Sequence, residues 1–283
     1  MRGSTSGAQS PREVLFDSDR TGRLEVHALN PTTLLVRQVT HTPAGSRSSS
    51  RANWSPDGRR IAFVRTTGQN SDMFVMNADG TDLRNLTDHP GADLFPTWSP
   101  DGERLAWVSD REGNRDIYVM RRDGSDLRNL TNHPAFDSRP AWSPDGTTIL
   151  FLSDRDHRGE RPGPNIHAMN SDGSGPRRLT DHARADMEPS WSPDGRAIVF
   201  ASNRTGNQDV YLMSADGSGV RRLTDHPAAD AGPAWSPDGR WIVFHSTRDS
   251  SRDENYELYL MAADGSGLRR LTSHPAFDGH PTW

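Results

Sequence analysis

Five aspartates and five histidines recur at fixed offsets from a tryptophan, and their side chains are the ones most able to do chemistry. Asp93, Asp137, Asp186, Asp230 and Asp278 each stand five positions ahead of Trp98, Trp142, Trp191, Trp235 and Trp283, and His89, His133, His182, His226 and His274 stand nine ahead. Carboxylates gathered around one axis repel each other, which raises some of their pKa values unless a cation or basic partner offsets the charge. Hard oxygens suit Ca²⁺, provided that water or carbonyl groups complete its coordination shell. Imidazoles on separate units stand far apart for tetrahedral Zn²⁺. The structural alternative is that each Asp accepts hydrogen bonds from loop N–H groups while each His buttresses a loop beside the following proline. At one junction the aligned places hold Ser49 and Thr42 instead.

A second recurring set is Ser-Asp-Arg, at Ser18 to Arg20, Ser109 to Arg111 and Ser153 to Arg155, with variants at Ser202 to Arg204 and Ser246 to Arg248. Arginines at Arg111, Arg155, Arg204 and Arg248 would form either a collar that captures a carboxylate-bearing peptide or sugar acid through bidentate bonds, or a locally paired rim.

The elements that carry these residues are repeats. WSPDG begins at Trp54, Trp98, Trp142, Trp191 and Trp235, and a sixth tryptophan, Trp283, ends the chain; the intervals are 44, 44, 49, 44 and 48 residues. A period in the forties with four short strands is the pattern of a propeller blade. In the unit from Asp93 to Asn132, strand a is Phe95 to Trp98, followed by a Ser-Pro-Asp-Gly turn. Strand b is RLAWVS, strand c DIYVM and strand d LRNLT.

The first segment, VLFDS, EVHAL and VRQVT, reads as strands b, c and d without strand a, and the missing strand is HPTW at the other end. The predicted fold is therefore an all-β, six-bladed β-propeller of four-stranded antiparallel blades. Its ring closes when the C-terminal strand a joins the N-terminal strands b, c and d, which leaves no unpaired seam. Blade 1 comprises residues 13–41 plus 278–283, and further blades begin near 50, 93, 137, 186 and 230. Residues 1–12 fall outside the fold, as a disordered segment or an expression leader.

In a meander, the a–b and c–d turns share one face and the b–c and d–a loops share the other. Extra length falls on the second face, around Asp156 to Gly163 and Asp249 to Asn255, so binding is expected there. The strand b and c apolar residues, with the repeat tryptophans, read as core between blades, and Trp107 and Trp241 are candidates for the same core.

Composition removes several chemistries. All 33 basic residues are arginine, so lysine chemistry is excluded, and the absence of cysteine excludes thiol nucleophiles and disulfides. The net charge of −5 argues against nucleic-acid binding. No apolar run is long enough to cross a bilayer as a helix. The opening residues lack the apolar stretch of a signal peptide. A closed ring needs no second copy, so a monomer is expected.

The DxxPxWSPDG, SDRxGNxDIYVM (Ser109 to Met120) and xDGSxxRxLT (Asp172 to Thr180) segments resemble the propeller repeats of the TolB family from Glu13 to Trp283. The α/β domain that precedes the propeller in that family has no match. The resemblance implies a non-enzymatic platform that receives a protein or peptide at the channel mouth and loop face, in a periplasmic or secreted setting, with no required cofactor. Two alternatives are a metal-dependent oligogalacturonate-like lyase and a detached propeller of a prolyl-oligopeptidase-like enzyme. The chain has no GxSxG nucleophile elbow for the latter.

Overall fold

The computed structural model describes residues 13–156, 163–249 and 255–283. The expectations for residues 1–12 and for the middle of both b–c insertions lie outside the described residues. Among the described residues every regular element is a strand, and no helix is long and apolar enough to cross a membrane.

Blade 1 contains β1 (Val14–Ser18), β2 (Glu25–Leu29) and β3 (Val36–Gln38). Blade 2 is β4 (Ser46–Trp54), β5 (Arg60–Thr67), β6 (Asn70–Asn77) and β7 (Arg84–Asn85). Blade 3 is β8 (Asp93–Trp98), β9 (Arg104–Ser109), β10 (Asp116–Arg121) and β11 (Arg128–Asn129). Blade 4 is β12 (Asp137–Trp142), β13 (Thr148–Ser153), β14 (Asn165–Asn170) and β15 (Arg177–Arg178). Blade 5 is β16 (Asp186–Trp191), β17 (Ala197–Ser202), β18 (Asp209–Ser214) and β19 (Arg221–Arg222). Blade 6 is β20 (Asp230–Trp235), β21 (Trp241–Ser246), β22 (Glu257–Ala262) and β23 (Arg269–Arg270).

The last strand, β24 (Asp278–Thr282), pairs antiparallel with β1 and completes blade 1, so the six sheets close into a ring through both ends of the chain. Polar contacts reinforce this closure: the Phe277 N–H donates to Asp19 (2.9 Å) and the Thr282 hydroxyl to the Ala52 carbonyl (2.7 Å). The core is correspondingly divided into six apolar clusters, each between two neighbouring blades. Alternation along β9 shows why: Leu105 and Trp107 pack toward blade 2, whereas Ala106 and Val108 pack toward blade 4. Trp107 is fully buried, but Trp241 is 37% exposed, because the residue at the start of strand b reaches solvent at the turn.

Two boundaries differ from the sequence reading. Strand d is only two residues long in blades 2 to 6 and three in blade 1; in blade 3 the Ile117 N–H turns to the Thr131 hydroxyl (3.0 Å) and the side chain takes over from the backbone ladder. Strand β4 starts early, at Ser46, where extra residues pair with a lengthened β5 as far as Thr67.

The two recurring turns are set by side chains. In WSPDG, the Ser143 hydroxyl donates to Asp145, which also accepts the Thr147 N–H (3.0 Å). In the DGS turn, Gly217 adopts φ 91° and lies so near the preceding blade that a Cβ would stand 2.6 Å from the Leu179 carbonyl oxygen. That glycine serves both turn geometry and blade packing.

Candidate functional site in the central channel

The aspartates and arginines singled out in the sequence meet in pairs. Asp93 bonds Arg111 (3.0 Å), Asp137 bonds Arg155 (2.7 Å), Asp186 bonds Arg204 (2.8 Å), Asp230 bonds Arg248 (2.6 Å) and Asp278 bonds Arg20 (2.6 Å). Strand register makes the pairing: each Asp opens strand a opposite the Ser that ends strand b, and the arginine two residues later folds back. Its Nε donates to that Ser hydroxyl, at 2.9 Å for Arg111 and Ser109, and its guanidinium stacks on a strand b or c ring, as Arg111 does over Tyr118 (4.9 Å). All five aspartates are fully buried. In blade 2, Arg65 replaces the Ser of the motif and donates to Ser49 (3.2 Å).

The histidines lie farther out in the d–a loops. Nδ1 of His89, His133, His182, His226 and His274 accepts the backbone N–H two residues on, at 2.9 to 3.1 Å. Asn114 and Asn207 of the b–c loops then grip the His133 and His226 carbonyls. Among the described residues, no three His, Asp or Glu side chains are grouped to hold a metal ion.

A different set faces the axis. The residue three places before each strand-a tryptophan is Arg51, Phe95, Arg139, Glu188, Gly232 or His280, and all six adopt left-handed backbone, with φ of 57°, 55°, 53°, 53°, 60° and 51°. Strand a loses register with strand b at this point in every blade, a bulge that turns the residue out of the sheet. All six line a channel cavity of about 300 Å³, whose wall continues through the following prolines and Trp142, Trp191, Trp235 and Trp283. Left-handed backbone at non-glycine residues is costly, and here left-handed backbone recurs in every blade at the position the strand-a bulge turns into the cavity wall.

The channel charges are arranged asymmetrically. Arg51, Phe95 and Arg139 lie on three consecutive blades, with the Arg51 and Arg139 guanidiniums 5.1 and 4.1 Å from the Phe95 ring centre. Arg139 pairs with Glu188 (2.9 Å), whose other oxygen accepts the Gly232 N–H (2.7 Å). Burial acts to raise the Glu188 carboxyl, but Arg139, with His245, His280 and Arg51, overrides it and holds it at about 2. His245, projecting from β21, fills the space beside Gly232: a Cβ there would meet its ring at 2.6 Å. Burial and then the neighbouring His280 lower His245 to about 3, so it is neutral at pH 7. On the opposite side, buried Asp17 takes the Arg51 N–H (2.9 Å) and lies 3.1 Å from His280 Nδ1.

The geometry defines a six-bladed β-propeller with a constant frame of ion pairs and a variable ring on its axis. The family model of the TolB beta propeller domain matches residues 53–185, and that of the Tricorn protease N-terminal beta propeller domain matches 162–283. The Tol-Pal system protein TolB of Anaeromyxobacter dehalogenans (strain 2CP-C) is 40% identical over 86 residues, which is 30% of this chain and 19% of that protein. Among solved structures, a candidate TolB from Agrobacterium tumefaciens superposes with TM-score 0.75 at 27% identity, covering 95% of this chain and 91% of that one. TolB from Acinetobacter baumannii gives TM-score 0.83 at 21% identity, covering 98% and 67%. An oligogalacturonate lyase in complex with manganese shares the fold alone, at 16% identity and TM-score 0.61 over 94% of this chain and 75% of the lyase. The chain is a six-bladed β-propeller that is similar to the propeller of TolB.

Proposed function

We propose that the protein is a non-enzymatic binding platform whose central channel receives a peptide segment of a protein partner. The segment enters at the end where strand a meets the a–b turns and not, as the loop lengths suggested, among the b–c and d–a loops, because the cavity is lined from the axial residues to Trp142, Pro144, Trp191, Trp235 and Trp283. The carrying observation is the contrast between frame and axis. Five Asp–Arg clamps recur nearly unchanged, while the six inward positions carry two arginines, an aromatic, a carboxylate, a glycine and an imidazole. Uniform residues solve a problem that every blade shares; dissimilar residues at one equivalent position form a surface with its own chemistry. A cavity of about 300 Å³ suits a side chain or short segment.

The Tol-Pal relatives make the cell envelope the compartment in which to seek the partner. With p-benzoylphenylalanine in place of Phe95, irradiation in an envelope extract is expected to cross-link one protein through a short peptide. Labelling only at positions outside the channel would overturn the reading.

The lyase alternative draws on a shared fold, and here each loop histidine already binds a backbone N–H through Nδ1. Incubation with oligogalacturonate and Mn²⁺ is expected to give no ultraviolet-absorbing product. Ca²⁺ at the aspartate ring is a separate proposal: Ca²⁺ should raise the melting temperature and a chelator lower it, and identical melts would end it.

A further inference from the structure

We propose that Arg51 anchors a carboxylate-binding subsite in the channel, taking the chain-end carboxylate or an Asp or Glu side chain of a bound peptide. The inference deepens the peptide-binding reading and rests on it. It comes from matching the charged groups that face the axis. Arg139 has Glu188, and Glu188 is completed by the Gly232 N–H. The two oxygens of Asp17 are occupied by the Arg51 backbone N–H and by His280 Nδ1.

The Arg51 guanidinium is left over. Its nearest acid is Asp17, 4.0 Å from Nε and beyond hydrogen-bond reach, and Nη1 is buried without a partner. Among the described residues its side chain donates no hydrogen bond, although a guanidinium carries five N–H groups. Burial, and then repulsion from Arg139, lower it to about 10, so it stays cationic at neutral pH. A charged donor group held in a partly dry channel without acceptors is unfavourable, and an arriving carboxylate supplies both charge and acceptors.

The surroundings narrow the ligand. Asp17 and Glu188 flank the subsite, so a monoanion is favoured over a dianion such as phosphate, which they would repel. Phe95 offers an apolar wall for the methylene groups behind a carboxylate. The anchor is held in place: the Arg51 backbone is fixed by its bond to buried Asp17, in the same bulge that all six blades share.

The test uses three capped pentapeptides on the whole protein: acetyl-pentaglycine with a free carboxylate, an amidated peptide with a central aspartate, and the same peptide with asparagine. Binding is read by calorimetry and by fluorescence of the channel-wall tryptophans. Either or both carboxylate peptides are expected to bind about tenfold or more tightly than the asparagine peptide, and which one does identifies the source of the group. Arg51→Asn, a residue that tolerates left-handed backbone, is expected to erase that preference, whereas Arg51→Lys retains part of it. If the Asn variant does not fold, the wild-type comparison decides alone. Equal affinity for the aspartate, free-acid and asparagine peptides overturns the carboxylate subsite and leaves the channel reading standing. Failure of all three peptides to bind at millimolar concentration, together with no cross-link through position 95, overturns both.

Discussion

Removing one carboxylate from the clamp ring strands a guanidinium. In Asp186→Ala, Arg204 keeps its seat over Phe200 and Tyr211 but loses its counter-ion, and the expected cost is about 3 kcal/mol in urea unfolding. Ser49→Ala in blade 2 removes a neutral hydroxyl that accepts from Arg65 and also bonds the Thr42 hydroxyl (2.9 Å), strands no charge pair, and should cost less, about 1 to 2 kcal/mol. A second prediction concerns acid. His245 has a folded pKa of about 3, below the ordinary 6.5, so the unfolded chain binds its proton first and stability falls as pH drops below 6.5. Glu188, at about 2 against the usual 4.5, adds a loss as pH falls through the window from 4.5 to 2. Denaturation midpoints measured from pH 7.5 to 2.5 should show this decline, and Glu188→Gln should flatten the part below pH 4.5. The sequence revealed both clamp partners but not their union, because Asp and Arg lie 18 residues apart in four clamps and 258 apart in the fifth, and meet only through register. The axial ring was less legible still. Its six members are of five residue types, and their common sign is a varying residue inside a DxxPxW segment that is constant in five of the six blades.

At the scale of strands and turns, the bulge in strand a is the element that converts a sheet edge into a channel wall. Gly232→Ala should destabilise by about 1 to 3 kcal/mol, since the new methyl meets buried His245 at 2.6 Å on left-handed backbone. Gly217→Ala should cost a similar amount through the Leu179 carbonyl, at a position remote from the channel. Thermal melts of the pair, with the peptide titration repeated on each, should therefore separate stability from binding: only Gly232→Ala alters the channel. Strands b and c were readable almost to the residue, because their alternating apolar residues serve two blade interfaces. Strand d was overestimated because LRNLT carries the composition of a strand while its threonine hydroxyl ends the ladder. The bulge itself leaves no compositional trace: arginine, phenylalanine, glutamate and histidine all occupy it, and the following proline, present in five of the six blades, is shared with the ordinary turn after the tryptophan.

For the whole ring, closure depends on one short strand. Deleting residues 278–283 removes the partner of β1, the Asp278–Arg20 clamp and the His280–Asp17 contact together. The strand β1 would then present an open edge, and the expected result is aggregation on gel filtration with a broadened melt. This closure was legible because the spacing of strands b, c and d at the start matches that of a complete unit, so the arithmetic of the repeat demanded a final strand a. The six-fold division of the core followed from the same arithmetic.

The separation of clamp from axial ring has a consequence for how such a molecule can change. The five clamps and the residues that meet a guest are different residues, so a codon at position 51, 95, 139, 188 or 280 can be rewritten with every clamp intact, at the cost only of contacts within the axial ring such as those of Glu188 to Arg139 and the Gly232 N–H and of His280 to Asp17. A library randomised at those five sites should yield many well-folded members with divergent preferences, as antibody loops do on their own constant framework.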